Sequence, residues 1–241
     1  TGNTDSSDFP TTTGAYDTSY NGGAGDIFVS KLNGDLTSLL ASTYLGGTDD
    51  EIGTSIIKGT DGNIYLTGYT YSSNFPTTTG AYDVSHSLND PDTFVSKLNG
   101  DLTSLLASTY LSGSSGGFGS SMAIDSAGNV YVTGYTKSSD FPTTTGVYDS
   151  SRSGSYDVFV SKLNGDLTSL LASTYLGGSS VESSRSIVLD PNRNVYVTGN
   201  TDSSDFPITT GAYDTSYNSN YDDDNGGYPS DVFVSKLNED L

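Results

Sequence analysis

The sequence repeats itself with a period of about 66 residues, and this period constrains the fold more than any other feature. The phrase TGNTDSSDFPTTTGAYD opens the chain and returns in close variants, and the phrase FVSKLNGDLTSLLASTYL recurs between its copies. The first phrase begins at Thr1, Thr67, Thr133 and Thr198. Self-similarity at a fixed period is typical of solenoids, propellers and tandem arrays. We therefore treat 1–241 as one array with repeats 1–66, 67–132, 133–197 and a partial repeat 198–241.

Each period contains four short apolar segments that predict β-strands. In the first period these are Phe28–Leu32, Leu39–Leu45, Ser55–Lys58 and Ile64–Gly68. No window combines helical periodicity with the residues that start and stop helices. The fold class is therefore predicted to be all-β, with four-stranded antiparallel blades of the β-propeller type, because tandem recurrence favours a propeller over a sandwich.

Two turn sequences join these segments into hairpins. Asn33-Gly34-Asp35 predicts a tight turn in which the Asn-Gly pair supplies the positive φ angles. Thr60-Asp61-Gly62-Asn63 predicts the second turn. In the last copy Arg193 stands where the other copies have glycine, which predicts a different turn there.

The strand count leaves the assembly open. About fourteen fragments make three and a half blades, whereas closed propellers have four to eight. Three arrangements follow: a segment of a longer array, a ring completed by a second copy, or open stacking of blades into a fibre. The expected partners are therefore copies of this chain or neighbouring repeats of a longer chain.

All variation in length lies in one connection. From the threonine of the TG phrase to the next FVSKL phenylalanine the spacing is 27, 27, 26 and then 35 residues, and the extra residues follow GAYD or GVYD. Loops tolerate insertion better than strands, so a function that differs between copies is expected there. The invariant first half carries Phe9, Phe75, Phe141 and Phe206, which we expect to fill gaps between blades; the alternative is a repeated aromatic slot for sugar or peptide.

At DSAGNVYVTGYTKSSDFPTTTGVYD and DVFVSKLNGDLTSLLASTYLGG the sequence resembles the SBBP (seven-bladed β-propeller) repeat family. The resemblance covers nearly the whole chain. It implies a β-propeller in a secreted or surface protein, often as a module of a larger chain. It brings no catalytic residues, because the recurring residues look like scaffold.

The charge of the chain excludes several partners. With 29 acidic and 9 basic residues, the net charge is −20 and the isoelectric point is about 4.1. Such a surface repels nucleic acid and anionic lipid. The chain has no cysteine and no long apolar segment, so disulfides, thiolate chemistry and membrane insertion are not expected.

Acidic clusters are the best candidates for a metal site. Asp222, Asp223 and Asp224 lie in the longest connection, and Asp49, Asp50 and Glu51 form a second cluster. Calcium prefers carboxylate and carbonyl oxygens, although the cluster in the longest connection does not have the spacing of an EF-hand. The alternative is a solvated acidic surface.

Catalysis is not expected. The single histidine, His86, lies in a variable loop, where we expect it to be exposed to solvent. Carboxylates are spread evenly over the copies, whereas active sites break repeat symmetry. Four equivalent lysines are interpreted as strand-edge charges that discourage wrong pairing: Lys31, Lys97, Lys162 and Lys236.

The sequence therefore predicts a non-catalytic, extracellular or cell-surface β-propeller repeat protein, acting as a structural or adhesive spacer or as a filament subunit. Equal repeats give equal interfaces, which suits building and multivalent contact. The alternative is a ligand-binding propeller that recognises glycan or protein through the loops after GAYD. Runs such as Thr11-Thr12-Thr13 beside Pro10 suit O-linked glycans, or else only keep the surface polar.

Overall fold

The computed structural model describes residues 1–87, 90–218 and 230–241. The described residues form fourteen β-strands and no helix. In chain order these are β1 (Gly2–Thr4), β2 (Asp26–Leu32), β3 (Leu39–Leu45), β4 (Glu51–Lys58), β5 (Ile64–Thr70), β6 (Asp92–Leu98), β7 (Leu105–Tyr110), β8 (Phe118–Ile124), β9 (Val130–Thr136), β10 (Asp157–Leu163), β11 (Leu170–Leu176), β12 (Glu182–Leu189), β13 (Val195–Thr201) and β14 (Asp231–Leu237). Within these ranges no helix has the length and apolar character that a membrane crossing requires.

The strands form four antiparallel sheets in chain order. The second and third sheets have four strands each, in the orders β4-β5-β6-β7 and β8-β9-β10-β11. The first sheet contains β1, β2 and β3, and the fourth contains β12, β13 and β14. The all-β prediction with four-stranded antiparallel blades is confirmed, and the described strands do not close into a ring. Each complete sheet spans the end of one sequence repeat and the start of the next, because the starting point of a repeat is arbitrary in a periodic sequence.

Apolar side chains are buried between consecutive sheets. One cluster joins Ile27 and Val29 of the first sheet to Leu66 and Phe94 of the second. Two further clusters join the second sheet to the third and the third to the fourth. Each sheet therefore obtains its core from its neighbours, as expected for a repeat that is marginal alone.

Strand positions are numbered as in the two complete sheets, so β1, β2 and β3 of the first sheet take the second, third and fourth positions. In the first three sheets the turn between the third and fourth strands differs from the predicted Asn-Gly turn. The positive φ falls on Leu36 (57°), not on Gly34. Asn33 holds a longer loop: its side-chain oxygen accepts hydrogen bonds from the N–H groups of Thr37 (2.8 Å) and Ser38 (3.0 Å). The prediction of a two-residue turn was wrong. The side chain of Asn33 accepts hydrogen bonds from two backbone N–H groups and so stabilises a longer loop.

The turn between the first and second strands is the same in all complete copies. Gly62 and Arg193 both have positive φ, 83° and 63°. Both donate their N–H to the carbonyl three residues earlier, of Gly59 and Asp190 respectively. The prediction of a different turn at Arg193 was therefore wrong: the arginine adopts the left-handed conformation that glycine adopts elsewhere.

The connection from the second to the third strand lies along the outer edge of the fourth strand. In the first sheet the N–H of Thr12 donates to the carbonyl of Ser42 (3.1 Å), and the N–H of Tyr44 donates to the carbonyl of Asp17 (3.1 Å). The second and third sheets repeat both bonds. The fourth strand thus lies between the third strand and this connection, with hydrogen bonds on both sides.

Candidate functional site

The three junctions between sheets are built from the same contacts. In each, the Nζ of a lysine on the third strand donates to a carbonyl in the turn of the next sheet: Lys31 to Gly100, Lys97 to Gly165 and Lys162 to Glu239, at 3.1, 3.2 and 3.3 Å. The backbone N–H of the GAYD or GVYD tyrosine donates to a leucine carbonyl in the same turn. The same set of contacts therefore joins each pair of neighbouring sheets.

The interpretation of the lysines as strand-edge charges was wrong for two of them. Lys97 and Lys162 lie on central strands and pair with a residue on each side. Lys31 lies on β2 and pairs with Ala41 of β3, beyond the part of β2 that pairs with β1. The ammonium groups of Lys97 and Lys162 lie over the rings of Tyr65 and Tyr131, at 5.1 and 5.2 Å. These lysines bridge sheets. Of the four equivalent lysines, only Lys236 lies on an edge strand of the described chain, β14.

The invariant phrase Ser-Ser-Asp/Asn-Phe-Pro accepts hydrogen bonds from the linker that connects the preceding sheet to its own sheet. The N–H of Asp49 donates to the hydroxyl of Ser72 (2.7 Å), and the N–H of Thr48 donates to the side-chain oxygen of Asn74 (2.9 Å). Ser114 and Ser179 make the second contact with Asp140 and Asp205. Desolvation raises the pKa of Asp140, but the hydrogen bonds from Ser114 outweigh it and keep this pKa below its ordinary value.

The phenylalanine of this phrase fills the core between sheets, as expected. Phe75 and Phe141 are buried in the first two junction clusters. Phe75 lies 4.6 Å from Phe94, and Phe141 lies 4.4 Å from Phe159, between ring centres. At the two ends of the array, Phe9 and Phe206 are only partly buried.

Two buried carboxylates meet at the first junction. Asp26 and Glu51 are both fully buried. Asp26 Oδ1 and Glu51 Oε2 each lie 2.6 Å from the position that a Cβ on Gly46 would take, so the oxygens are at most twice that distance apart. Glu51 accepts hydrogen bonds from Gly47 N–H and Thr70 hydroxyl, whereas Asp26 Oδ1 has no partner in the described chain.

The electrostatics of this pair favour protonation. Burial raises the pKa of Glu51 to about 6, although the hydrogen bond from Thr70 opposes the shift. Burial also raises the pKa of Asp26. The third junction repeats the pair as Asp157 and Glu182, both beside Gly177. The second junction has Gly117 in place of the glutamate. Burial therefore makes Glu51 keep its proton to a higher pH than an exposed glutamate does.

Of the predicted calcium ligands, the three in the described part of the chain do not point to one centre. Asp49 is exposed, Asp50 accepts a hydrogen bond from the N–H of Ala24, and Glu51 faces Gly47 and Thr70. Over 1–87, 90–218 and 230–241 no group of three or more acidic or histidine side chains is placed to hold a metal. Asp222, Asp223 and Asp224 lie outside the described residues. Calcium binding stays a prediction, which a melting temperature measured with and without chelator tests.

The variable connections are fixed at both ends. At the start of each, an aspartate accepts the N–H two residues later, as Asp17 does from Ser19 (2.8 Å). At the end, the first residue of the third strand accepts an N–H of the loop, as Asp26 does from Asn21 (2.7 Å). The other connections repeat both contacts. The differences in length between the copies therefore lie between these two hydrogen-bonded ends.

His86 is more enclosed than expected. Its ring packs edge-on against Tyr110, with centres 5.5 Å apart, and its Nε2 lies 3.3 Å from the carbonyl of Thr70. The side chain is half-buried, so the expectation of an exposed histidine was wrong. It packs between the loop and the fourth strand of the second sheet.

The fold defines a β-propeller repeat protein. A family model described as SBBP, beta-propeller repeat, matches residues 108–142 and 173–207. These two segments occupy the same phase, from the end of one sheet's fourth strand to the Phe-Pro of the next. The chain therefore matches the SBBP repeat over these two segments, in agreement with the resemblance of its motifs. No curated protein matches the chain.

Proposed function

We propose that this protein is a non-catalytic structural protein that acts outside the cell, as a cell-surface spacer or a filament subunit. The observation that carries the proposal is that the three junctions share the same lysine, tyrosine and leucine contacts. Equal junctions transmit the same geometry from one sheet to the next, which suits a protein that spans distance.

The distribution of polar groups supports this role. The recurring serines, threonines and aspartates make structural hydrogen bonds at strand edges, linkers and loop anchors. The net charge of −20 keeps such a surface soluble and limits unspecific association. A catalytic site would require one copy to differ from the others in its buried polar groups. One such difference in the described part is the replacement of a glutamate by Gly117.

Immunogold electron microscopy of intact cells tests the location, and negative-stain images of the purified protein test the architecture. Label on the outer surface and elongated particles or fibres are expected. Label confined to the cell interior, or turnover of a polysaccharide by the purified protein, would contradict the proposal.

The second candidate is a ligand-binding propeller. The anchoring of each variable connection favours it, since loops of different sequence are displayed on a repeated scaffold. A glycan array tests this function, with a variant in which the loop between Asp17 and Asp26 is replaced by the loop between Asp149 and Asp157 as the control. Binding that is lost in this variant would favour recognition over a spacer; an array without hits would count against it.

A further inference from the structure

Five aromatic side chains form a continuous patch at the second junction, between the second and third sheets. In order of contact, this aromatic patch consists of Tyr71, Tyr69, Phe118, Tyr135 and Tyr156, with successive ring centres 4.9 to 6.3 Å apart. Tyr69 lies on β5, Phe118 on β8 and Tyr135 on β9, so the patch crosses from one sheet to the next. Tyr71 is exposed and the other four side chains are half-buried, so a ligand can reach the rings.

The first junction shows that the scaffold does not require these rings. At the positions of Tyr69 and Phe118 it has Asn3 and Ile52, and the side-chain oxygen of Asn3 accepts a hydrogen bond from the N–H of Gly53 (3.3 Å). The first two strands pair in the same register in the second and third sheets, and both junctions have the same lysine contact. The aromatic patch is therefore an addition to the repeat that breaks its symmetry.

The second junction also has neutral residues at two positions where the first has acids. Tyr71 stands at the position of Asp5, and Gly117 stands at the position of Glu51. Fewer carboxylates beside the rings argue against a cationic ligand, whereas the net charge of −20 argues against a polyanion. The charges therefore favour a neutral ligand.

The aromatic patch combines ring surfaces with unused hydroxyl groups. The hydroxyls of its four tyrosines make no hydrogen bond within the described chain, whereas the buried hydroxyl of Tyr110 donates to the carbonyl of Ser72 (3.0 Å). The guanidinium of Arg185 lies close to one of them: burial raises the pKa of Tyr135, and the charge of Arg185 opposes this rise. Each free hydroxyl can both donate and accept a hydrogen bond. A ligand that covers the rings must therefore also supply several polar groups.

These requirements match a saccharide better than a proline-rich peptide. The face of an aromatic ring is electronegative and attracts C–H groups, which both a sugar ring and a proline ring present. Proline-rich peptides, which also bind to aromatic surfaces, offer carbonyl acceptors but no N–H donors at their prolines. A sugar ring carries a hydroxyl on most of its carbon atoms, and each hydroxyl is a donor and an acceptor, as those of the four tyrosines are.

We propose that the aromatic patch binds a neutral saccharide chain, with sugar rings packed against the aromatic rings and sugar hydroxyls bonded to the tyrosine hydroxyls. Chains of β-linked glucose or N-acetylglucosamine suit it, because their hydroxyls lie at the rim of each sugar ring and their C–H groups lie on its faces. The site goes beyond the proposed structural role and does not depend on it. It also differs from recognition by the variable connections, since four of the five rings lie outside them.

Isothermal titration calorimetry of the whole 241-residue chain with cellohexaose and with chitohexaose tests the site. At least one of the two saccharides should bind with a Kd below about 1 mM. The affinity should not change with salt concentration, because the ligand is uncharged. Failure of both saccharides to bind at millimolar concentration would overturn the proposal. Tighter binding of polygalacturonate or of a polyproline peptide would also overturn it, in favour of an acidic saccharide or a peptide.

Substitutions of Tyr135 separate contact with the ligand from a structural role. Tyr135→Asn installs the residue that the first and fourth sheets have at this position, and should weaken binding about tenfold through loss of the ring. Tyr135→Phe keeps the ring, and should weaken binding about fivefold at an unchanged melting temperature, because the hydroxyl has no partner in the described chain. Tyr213→Asn is the control: this tyrosine is exposed in the fourth sheet's connection, and the variant should bind as the unmodified chain does. Equal affinities of Tyr135→Asn and the unmodified chain would overturn the proposal.

The aromatic patch and the proposed function fail separately. A chain that binds saccharide through Tyr135 but is found only inside cells refutes the extracellular role and supports the patch. A surface filament whose purified chain binds neither saccharide refutes the patch and supports the structural role.

Discussion

The turn that contains Leu102 and the turn that contains Leu36 have the same sequence and different surroundings. Both read Asn-Gly-Asp-Leu-Thr-Ser, and both leucines have positive φ, 58° and 57°. Leu102 lies in the second sheet and is 1% exposed, against the first sheet. Leu36 lies in the first sheet and is 75% exposed.

This difference separates local from tertiary causes. The backbone conformation is the same with and without a neighbouring sheet, so the loop is determined by its own sequence, through the side chain of asparagine. Burial depends on the neighbour alone. A left-handed leucine costs free energy in both places, and only the interior copy regains it by packing.

Leu102→Ala should have the largest effect. Loss of a buried leucine costs about 2–5 kcal/mol, whereas Leu36→Ala should change the free energy of unfolding by less than about 0.5 kcal/mol. Urea denaturation followed by circular dichroism measures both. Equal losses would mean that the exposed leucine is covered in solution.

The buried Glu51 should make stability depend on pH. Its pKa is raised from 4.5 in the unfolded chain to about 6 in the folded one, so the folded state binds the proton more tightly. Its contribution is therefore most favourable below pH 4.5 and is lost as the pH rises to about 6. The loss is about 2 kcal/mol.

Comparison of the unmodified chain with Glu51→Gln between pH 4.5 and 7 isolates this contribution from that of the other acids. The stability of the variant should fall less over that range. Asp35→Asn, an exposed acid, controls for the loss of one charge. Parallel stability curves for the unmodified chain and Glu51→Gln would contradict the assignment.

Arg193 should carry the strain that Gly62 avoids. Arg193→Gly is expected to be about 1 kcal/mol more stable than Arg193→Ala, because both lose the ion pair with Glu239 (2.7 Å) and only glycine relaxes the backbone. Gly62→Ala, where a Cβ would meet no atom within 4 Å, should cost the same amount. Thermal denaturation measures all three, and equal stability of the two Arg193 variants would show an unstrained turn.

Loop insertion should have the smallest effect. Eight Gly and Ser residues inserted between Ser19 and Tyr20 roughly double the free length between the two anchors, which costs about 0.6 kcal/mol. Melting temperatures of the two chains measure it. A loss several times larger would show that this loop belongs to the core.

The sequence was sufficient for strands and their number, because four apolar segments recur with turn residues between them. It was not sufficient for the turn conformation at Gly34, since the side chain of Asn33 determines the conformation of that loop. It also failed for the lysines, whose partners lie about 70 residues away on another sheet. The meeting of Asp26 and Glu51 left no trace in the sequence, because only packing of two sheets brings the residues beside Gly46.

The offset between sheets and sequence repeats has a consequence for inheritance. A deletion or duplication of one period, begun at any residue, rejoins equivalent positions and regenerates every strand pair and junction. Unequal recombination in the gene would thus change the number of sheets in whole steps without passing through a misfolded intermediate length.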